Sequence, residues 1–280
     1  MIAGHTRPLT PATLDGVTET PSSNVPVHAL STMWSQGRFR HDGHDTDDML
    51  AFAEAVARLG FPAIEINYVI PLEGVEALLS NNHVEIVSLH SPTPRVKTRD
   101  GKLSDALNLA STDEDERAFA VERRREAAPR YVPHARRSLA EITEYAAARS
   151  VAVGLENRYH YHEFPGIDEM LDMLRGYPHE VAGFWLDIGH AEVLDRLGLE
   201  YHHRWLNELA SRCIGAHVHD IDGLADHRAP GHGDANWPHY AAMLPPHIPR
   251  VFEINQKMPE DQVAAAIPFL RGRGVLPALT

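Results

Sequence analysis

The chain has 280 residues, 43% of them hydrophobic, which suits a single α/β domain of barrel size with a sizeable core. Its formal net charge is -13, from 39 acidic and 26 basic residues, so its field repels nucleic-acid phosphates and anionic membrane surfaces. Nucleic acid is therefore a disfavoured partner, and the apolar runs fall short of the roughly 18 residues that span a bilayer, so we expect no membrane association.

The beginning of the chain and its cysteine content bear on domain organisation and compartment. Residues 1–26 scatter Thr, Pro and Ser and lack the continuous apolar segment of a signal peptide, so we expect a disordered N-terminal arm. The folded domain should then span residues 27–280. The single cysteine, Cys213, excludes an intrachain disulfide and fits a reducing cytoplasm, where a lone buried thiol is usually inert.

Short apolar runs alternate with segments of helical period through the rest of the chain, a pattern typical of βαβ units and a parallel sheet. The seven runs that predict strands are Val27–Met33, Pro62–Asn67, Glu85–His90, Val151–Glu156, Ala182–Asp187, Ile214–His219 and Arg250–Ile254. Seven such units in series favour a barrel over an open sheet, although periodicity alone leaves both arrangements open.

Two of the predicted helices have clear boundaries. Asp45–Leu59 carries apolar residues at helical spacing and is followed by Gly60, a typical residue just past a helix end. Ser138 and Glu141 form a capping-box pattern, which predicts a helix beginning at Ser138. The apolar stripe of that second helix should consist of Leu139, Ile142 and Tyr145.

The stretch between the third and fourth predicted strands contains no strand-like apolar run. Acidic residues 113–116 and basic residues 123–125 match the two ends of a helix dipole, so we predict a helix there. The predicted barrel therefore lacks a regular fourth strand. The unpaired edge needs a cover, which a helix, the N-terminal arm or a second copy in a homo-oligomer would provide.

Metal-binding side chains end five of the apolar runs. They are His90, Glu156, Asp187, His217 and Glu253. In a barrel these ends meet at the C-terminal face, where active sites are built. One such residue alone is often just a helix N-cap, but five together favour a common site. Carboxylate and imidazole groups of this kind suit Mn²⁺, Mg²⁺, Co²⁺ or Zn²⁺.

Five motifs in chain order carry a family resemblance. They are Leu155-Glu156-Asn157, Leu186-Asp187-Ile188-Gly189-His190, Gly215-Ala216-His217-Val218-His219-Asp220, Pro230-Gly231-His232-Gly233 with Trp237, and Phe252-Glu253-Ile254. Over roughly residues 27–270 the chain resembles the xylose-isomerase-like (β/α) barrel superfamily, which includes sugar epimerases, sugar-phosphate isomerases and zinc-dependent apurinic-site endonucleases. The resemblance implies a TIM-type (β/α) barrel, and the seven recognisable strands of this chain depart from the family pattern by the absent fourth strand.

The resemblance also implies roles for individual residues. The implied ligands of one divalent metal ion are Glu156, Asp187, His217 and Glu253. Two of them, Glu156 and Glu253, would also be catalytic and exchange a proton with the two faces of an enediolate. The implied substrate-binding residues are His90, His190, His227 and Arg228. The substrate would be a small sugar or sugar phosphate, and the reaction an isomerisation or epimerisation.

Two other functions stay open on sequence grounds. An apurinic-site endonuclease would use His90, His190 and His227 as additional metal ligands, but the negative charge and the missing fourth strand argue against it. A non-catalytic metal- or sugar-binding barrel that lost its activity with the missing unit belongs to a different class. Gly231-His232-Gly233 lacks the context of a dinucleotide loop, so we interpret it as a flexible loop over the site.

Overall fold

A computed structural model describes residues 27–41, 46–90, 132–133, 135–159 and 165–278. The predicted N-terminal arm and the predicted helix around residues 113–125 lie outside these ranges. In the described residues no helix is both long enough and apolar enough to cross a membrane.

Seven parallel strands form one curled sheet. They are β1 (His28–Ser31), β2 (Ala63–Ile66), β3 (Glu85–Leu89), β4 (Val153–Glu156), β5 (Ala182–Asp187), β6 (Cys213–His217) and β9 (Arg250–Phe252). The strand order is β3-β2-β1-β9-β6-β5-β4. Because the last strand pairs with the first, the sheet curls as in a TIM-type barrel, and β3 and β4 are its two edges among the described strands. The predicted barrel and its seven strands are confirmed.

A separate antiparallel hairpin follows β6. Its strands are β7 (Asp220–Asp222) and β8 (Ala225–Arg228). The hairpin lies at the carboxyl end of β6, which is the end of the barrel where the predicted site residues meet.

Strands β3 and β4 occupy the two edges of the sheet. A regular fourth barrel strand would lie between them. Residues 135–150, which precede β4, form a helix and a turn and contain no strand. Residues 91–131 lie outside the described part of the chain, so the prediction of a missing strand stays a prediction there.

Eight helices pack around the described part of the sheet. They are α1 (Met49–Arg58), α2 (Leu72–Leu79), α3 (residues 135–147), α4 (Ile167–Leu174), α5 (Ile188–Arg196), α6 (His202–Leu209), α7 (Trp237–Met243) and α8 (Glu260–Gly272). The carboxylate of Asp48 caps α1 by accepting hydrogen bonds from the backbone N–H groups of Leu50 and Ala51, both at 3.0 Å.

The predicted start of α3 and two of the three residues of its predicted apolar stripe are wrong. Ser138 lies inside the helix, and Ile142 and Tyr145 are 53% and 63% exposed. The buried residues of α3 are Leu139, Thr143 and Ala146. At 100° per residue, steps of three residues drift around the helix, whereas a step of four followed by three returns to one face.

The two faces of the sheet carry different side chains. The outer face packs large apolar residues such as Ile64, Phe184 and Leu186 against the helices. The inner face is lined mainly by small residues, Ala29, Ala63 and Val251, against which Trp185 packs. Gly215 makes room for this indole, because a Cβ atom there would lie 2.1 Å from Cζ3 of Trp185.

Candidate metal centre

The four predicted metal ligands meet at the carboxyl ends of four strands. Glu156 ends β4, Asp187 ends β5, His217 ends β6, and Glu253 directly follows β9. Asp187 and His217 are register partners in neighbouring strands. One ligand atom from each of the four lies within 4.8 Å of all the others. Strand register therefore brings together residues that are far apart in the sequence.

Two buried polar atoms at this point lack a hydrogen-bond partner among the described residues. They are Nδ1 of His217 and Oε1 of Glu156. The Nδ1 atom lies 3.2 Å from Oε2 of Glu253, 3.4 Å from Oδ2 of Asp187 and 3.5 Å from Oε1 of Glu156. A buried group of this kind needs a partner, and one imidazole nitrogen with three carboxylates is a suitable donor set for a divalent cation. The residues present therefore fit a metal ion.

The charges of the cluster also favour metal binding. Burial alone would raise the pKa values of Glu156 and Asp187, but neighbouring histidines hold both well below their ordinary range. His217 and His227 similarly lower the pKa of Glu253, against its burial, to about 2. The three carboxylates are therefore ionised at neutral pH, as metal ligands must be.

A second group of side chains within ligand distance contains His219 in place of His217. It consists of Asp187, His219, His227 and Glu253. The backbone N–H of His227 donates to Nδ1 of His219 at 2.9 Å, so the ring proton of a neutral His219 is on Nε2. That proton is donated to Asp187 at 3.0 Å. His219 therefore orients Asp187 and has no lone pair free for a metal.

Gly189 makes room for the contact between His219 and Asp187. A Cβ atom on Gly189 would lie 2.0 Å from Cε1 of His219, so only glycine fits beside the ring. Asn157 holds Asp187 from the other side, since its Nδ2 donates to the Asp187 carbonyl oxygen and its Oδ1 accepts the Asp187 N–H. The position of Asp187 is therefore determined by contacts from several elements.

Three of the four predicted substrate-binding residues surround the ligands. Nε2 of His90 lies 3.1 Å from Oε2 of Glu156, and Glu156 raises the pKa of His90, against its burial, to about 9. Nδ1 of His190 lies 3.5 Å from Oε1 of Glu156. Nε2 of His227 lies 3.5 Å from Oε2 of Glu253. These imidazoles form a rim around the proposed ion position.

Arg228 is placed differently. Its guanidinium donates to Oδ2 of Asp222 at 2.9 Å on the exposed side of the hairpin. The contacts found among the described residues do not join it to the four ligands. Arg228 would have to leave Asp222 to bind a substrate, so its substrate-binding role stays a prediction.

The hairpin also contributes Asp226, which was not among the predicted ligands. His227 has a φ of 53°, a left-handed conformation that is uncommon outside glycine and frequent at functional sites. It interrupts the alternation of side chains along β8, so Asp226 and His227 both reach the site. Together with His190 they form a third group within 4.8 Å of one another. The endonuclease alternative would use this group for a further ion.

The Gly231-His232-Gly233 segment is anchored and does not form the flexible loop that we expected. Both oxygens of Asp220 accept backbone N–H groups of this loop, from Gly231 at 2.8 Å and from Ala235 at 2.9 Å. A Cβ atom on Gly233 would lie 2.2 Å from the carbonyl oxygen of Ile221. Gly233 therefore allows close backbone packing against the hairpin, whereas Gly231 faces the ring of Phe269.

Strand β2 and the residue after it add two side chains to the site, Glu65 and Asn67, whose position at the end of the second predicted strand suggested either substrate contact or loop capping. Glu65 contacts the ring of His217, and Nδ2 of Asn67 donates to Oε1 of Glu253 at 2.7 Å. The signal in the sequence was a glutamate between two isoleucines of a buried strand, where a charged side chain needs a buried partner.

Comparisons with known proteins agree with the barrel fold. A family model described as a xylose isomerase-like TIM barrel matches residues 124–273. A search of curated proteins gives no match. Among solved structures, a D-tagatose 3-epimerase-like protein matches with a TM-score of 0.57 and 20% identity, covering 88% of this chain and 96% of that protein.

Two further structures share the fold. One is the D-psicose 3-epimerase of Clostridium cellulolyticum H10 with D-tagatose, with a TM-score of 0.56, 16% identity and coverage of 89% and 99% of the two chains. The other is 3-keto-D-glucoside 4-epimerase from E. coli, with a TM-score of 0.52, 14% identity and coverage of 88% and 99%. At these identities the likeness concerns the fold. The family match covers more than half of the chain, which therefore belongs to the xylose isomerase-like TIM barrel family.

Proposed function

We propose that this protein is a divalent-metal-dependent sugar isomerase or epimerase that transfers a proton through an enediolate. The observation that carries the proposal is the buried Nδ1 of His217, which has no hydrogen-bond partner among the described residues and faces the carboxylates of Glu156, Asp187 and Glu253. An ion bound there would polarise a carbonyl and a neighbouring hydroxyl and lower the pKa of the adjacent C–H. We propose Mn²⁺, Mg²⁺, Co²⁺ or Zn²⁺ as that ion.

Glu156 and Glu253 are the proposed acid–base pair. Their strands, β4 and β9, are separated by two strands in the sheet, so their carboxylates reach the centre from different sides. Asn67 donates a hydrogen bond to Oε1 of Glu253, and Oε2 of Glu253 points toward the centre. Both glutamates have lowered pKa values and are ionised at neutral pH, so either can accept a proton from a substrate carbon.

The rim histidines would position the substrate. His90, His190 and His227 surround the carboxylates and can donate or accept hydrogen bonds with sugar hydroxyls. Ring faces at the same place, such as Tyr159 against His190 at 5.7 Å between centroids, can contact the C–H groups of a sugar. The substrate proposed is a small sugar or sugar phosphate.

The structural neighbours support this class of reaction. The three described above are named as a D-tagatose 3-epimerase-like protein, a D-psicose 3-epimerase and a 3-keto-D-glucoside 4-epimerase. All three names refer to epimerisation of a sugar. The sugar used by this chain, and the choice between isomerisation and epimerisation, require a substrate panel.

The decisive experiment measures exchange of substrate C–H hydrogen in deuterated water, with metal content determined for every variant. We expect Glu156→Gln and Glu253→Gln each to lower exchange by about 10²-fold or more, with at least one variant retaining metal, because glutamine keeps an oxygen ligand but no base. Asp187→Asn should lose metal and exchange together.

A matched control is available in Glu192→Gln. Glu192 is a buried carboxylate outside the centre that accepts hydrogen bonds from the N–H of Asn236 and the hydroxyl of Tyr240. This variant should retain both metal and exchange. Near wild-type exchange in both metal-loaded glutamine variants of the acid–base pair would show that the mechanism is wrong.

The number of ions separates this function from the second candidate, an apurinic-site endonuclease. The group of His190, Asp226 and His227 favours that candidate, because it could hold another ion. We expect elemental analysis to find one tightly held ion per chain and no cleavage of abasic DNA, since the net charge of -13 opposes DNA binding. Two or three ions with cleavage would establish the endonuclease function instead.

A further inference from the structure

We propose that Glu65, in the middle of β2, is a positioning residue that determines which ring nitrogen of His217 is free to bind the metal. The inference rests on the proposed function and extends it from the four ligands to the strand behind them. Glu65 belongs to none of the groups of possible metal ligands found among the described residues, and it contacts His217, so it would act through that ring.

Contacts with His217 and Ser88 fix the position of the Glu65 carboxylate. Its carboxylate is 2% exposed, and its Oε1 and Oε2 atoms lie 3.2 Å and 3.1 Å from Nε2 of His217. The hydroxyl of Ser88, its register partner in β3, donates to Oε2 at 2.8 Å. The flanking Ile64 and Ile66 are buried on the opposite face, so strand alternation directs Glu65 into the barrel.

This contact decides the tautomer of a neutral His217. A neutral imidazole carries one ring proton, and an acceptor at one nitrogen holds the proton there. With Glu65 at Nε2, the proton stays on Nε2 and the lone pair of Nδ1 points toward the other three ligands. Without Glu65, those three carboxylates would draw the proton to Nδ1 and block the ligand atom.

The two histidines of one segment illustrate the point. His217 and His219 are two residues apart and carry the ring proton on the same nitrogen, Nε2, yet their Nδ1 lone pairs have different partners. At His219 the backbone N–H of His227 makes Nδ1 the acceptor and Nε2 the donor to Asp187. At His217 the carboxylate of Glu65 makes Nε2 the donor. The neighbours of each ring, and not its place in the sequence, assign one as ligand and the other as support.

The test compares Zn²⁺ affinity, measured by calorimetry, in wild-type protein, Glu65→Ala, Glu65→Gln and Ser88→Ala. We expect Glu65→Ala to weaken binding by about 10- to 100-fold, the range for loss of such a partner. Glu65→Gln should recover part of this loss because its amide oxygen can still accept the Nε2 proton. Ser88→Ala should weaken binding less, since it removes only the hydroxyl that holds Glu65.

Nitrogen-15 NMR of the Zn²⁺-loaded protein gives a second readout. The wild-type spectrum should show His217 protonated on Nε2 and metal-bound through Nδ1, and Glu65→Ala should lose this signature. Glu192→Ala controls for loss of a buried carboxylate and should change neither readout. If Glu65→Ala does not fold, Glu65→Gln and Ser88→Ala still test the order of affinities.

The outcomes separate the two proposals. Unchanged Zn²⁺ affinity in Glu65→Ala, or metal bound through Nε2 of His217 in the wild-type protein, would overturn the role of Glu65 while C–H exchange by the wild-type protein stands. Wild-type protein that binds metal but exchanges no sugar hydrogen would overturn the proposed function, whereas weakened binding in Glu65→Ala would still support the positioning role.

Discussion

Strands β5 and β3 differ in their surroundings although each leads to a side chain of the proposed site, Asp187 at the end of β5 and His90 after β3. β5 pairs on both sides, and only Trp185 among its residues is not fully buried. β3 pairs only with β2 among the described strands, and its residues are exposed or half-buried. Asp187, at the end of β5, is fully buried, whereas His90, after β3, keeps 15% of its side chain exposed.

The difference shows at which strand ends the fold can keep a metal-ligating side chain in a fixed position. At the end of β5, backbone and side-chain groups of three elements fix Asp187. A carboxylate held in this way keeps its position without an ion, which suits a permanent ligand. A residue at a sheet edge has fewer neighbours to hold it and suits contact with a substrate that arrives and leaves.

The largest contrast should appear in thiol reactivity. Burial raises the pKa of Cys213, which begins β6 beside β5, to about 12. Leu89, in β3, is 55% exposed, and a cysteine there should titrate near the ordinary value of about 8.5. At pH 8, iodoacetamide should label Leu89→Cys on the order of 10³-fold faster than Cys213, because only the thiolate reacts.

Iodoacetamide labelling also tests how the reaction rate of each thiol changes with pH. Labelling of Leu89→Cys should level off above about pH 9, whereas labelling of Cys213 should still rise there because its thiol remains protonated. Mass spectrometry of the two labelled peptides measures both rates in one sample. Equal rates at the two positions would contradict the contrast between the paired strands and the edge.

The next effect is on stability. Phe184 in β5 is fully buried and its ring lies 5.7 Å from that of Trp205, so Phe184→Ala should cost about 3–5 kcal/mol of unfolding free energy. The matched change at the edge is Ile86→Ala, where the side chain is 37% exposed and the cost should be about half as large or less. Urea unfolding measures the unfolding free energy of both variants. Equal losses of stability would contradict the difference between the paired strand and the edge strand.

A smaller effect on stability is expected from adding a methyl group on the inner face of the sheet. A Cβ atom on Gly215 of β6 would lie 2.1 Å from the Trp185 ring, and Gly215→Ala should cost about 1–3 kcal/mol. Gly154 of the edge strand β4 faces the same indole, but its Cβ would lie 3.2 Å from the nearest atom. Gly154→Ala should therefore cost less, and thermal unfolding of the two variants tests the order.

The smallest effect is expected on the exposed side of β3. Leu89→Ser removes an apolar side chain that is more than half exposed, so the unfolding free energy should change by no more than about 0.5 kcal/mol. A loss of several kcal/mol would show that another surface covers this edge in solution. Concentration-dependent stability in the same experiment would identify a second copy of the chain as that cover.

The sequence by itself determined the seven strands and the residues at their carboxyl ends, because apolar period and strand termini are local properties of the chain. The barrel order then brought Glu156, Asp187, His217 and Glu253 together without further information. The face of α3 was predicted wrongly because three apolar residues at intervals of three do not define one face.

Only the tertiary structure decided the use of each side chain in the site. Glu65 and His217 lie 152 positions apart, and no local pattern states that they meet. The left-handed backbone at His227 brings Asp226 into the site and leaves Arg228 beside Asp222. Contacts of this kind depend on strand register and on the curl of the sheet, which arise from the packing of the whole domain and not from any one segment.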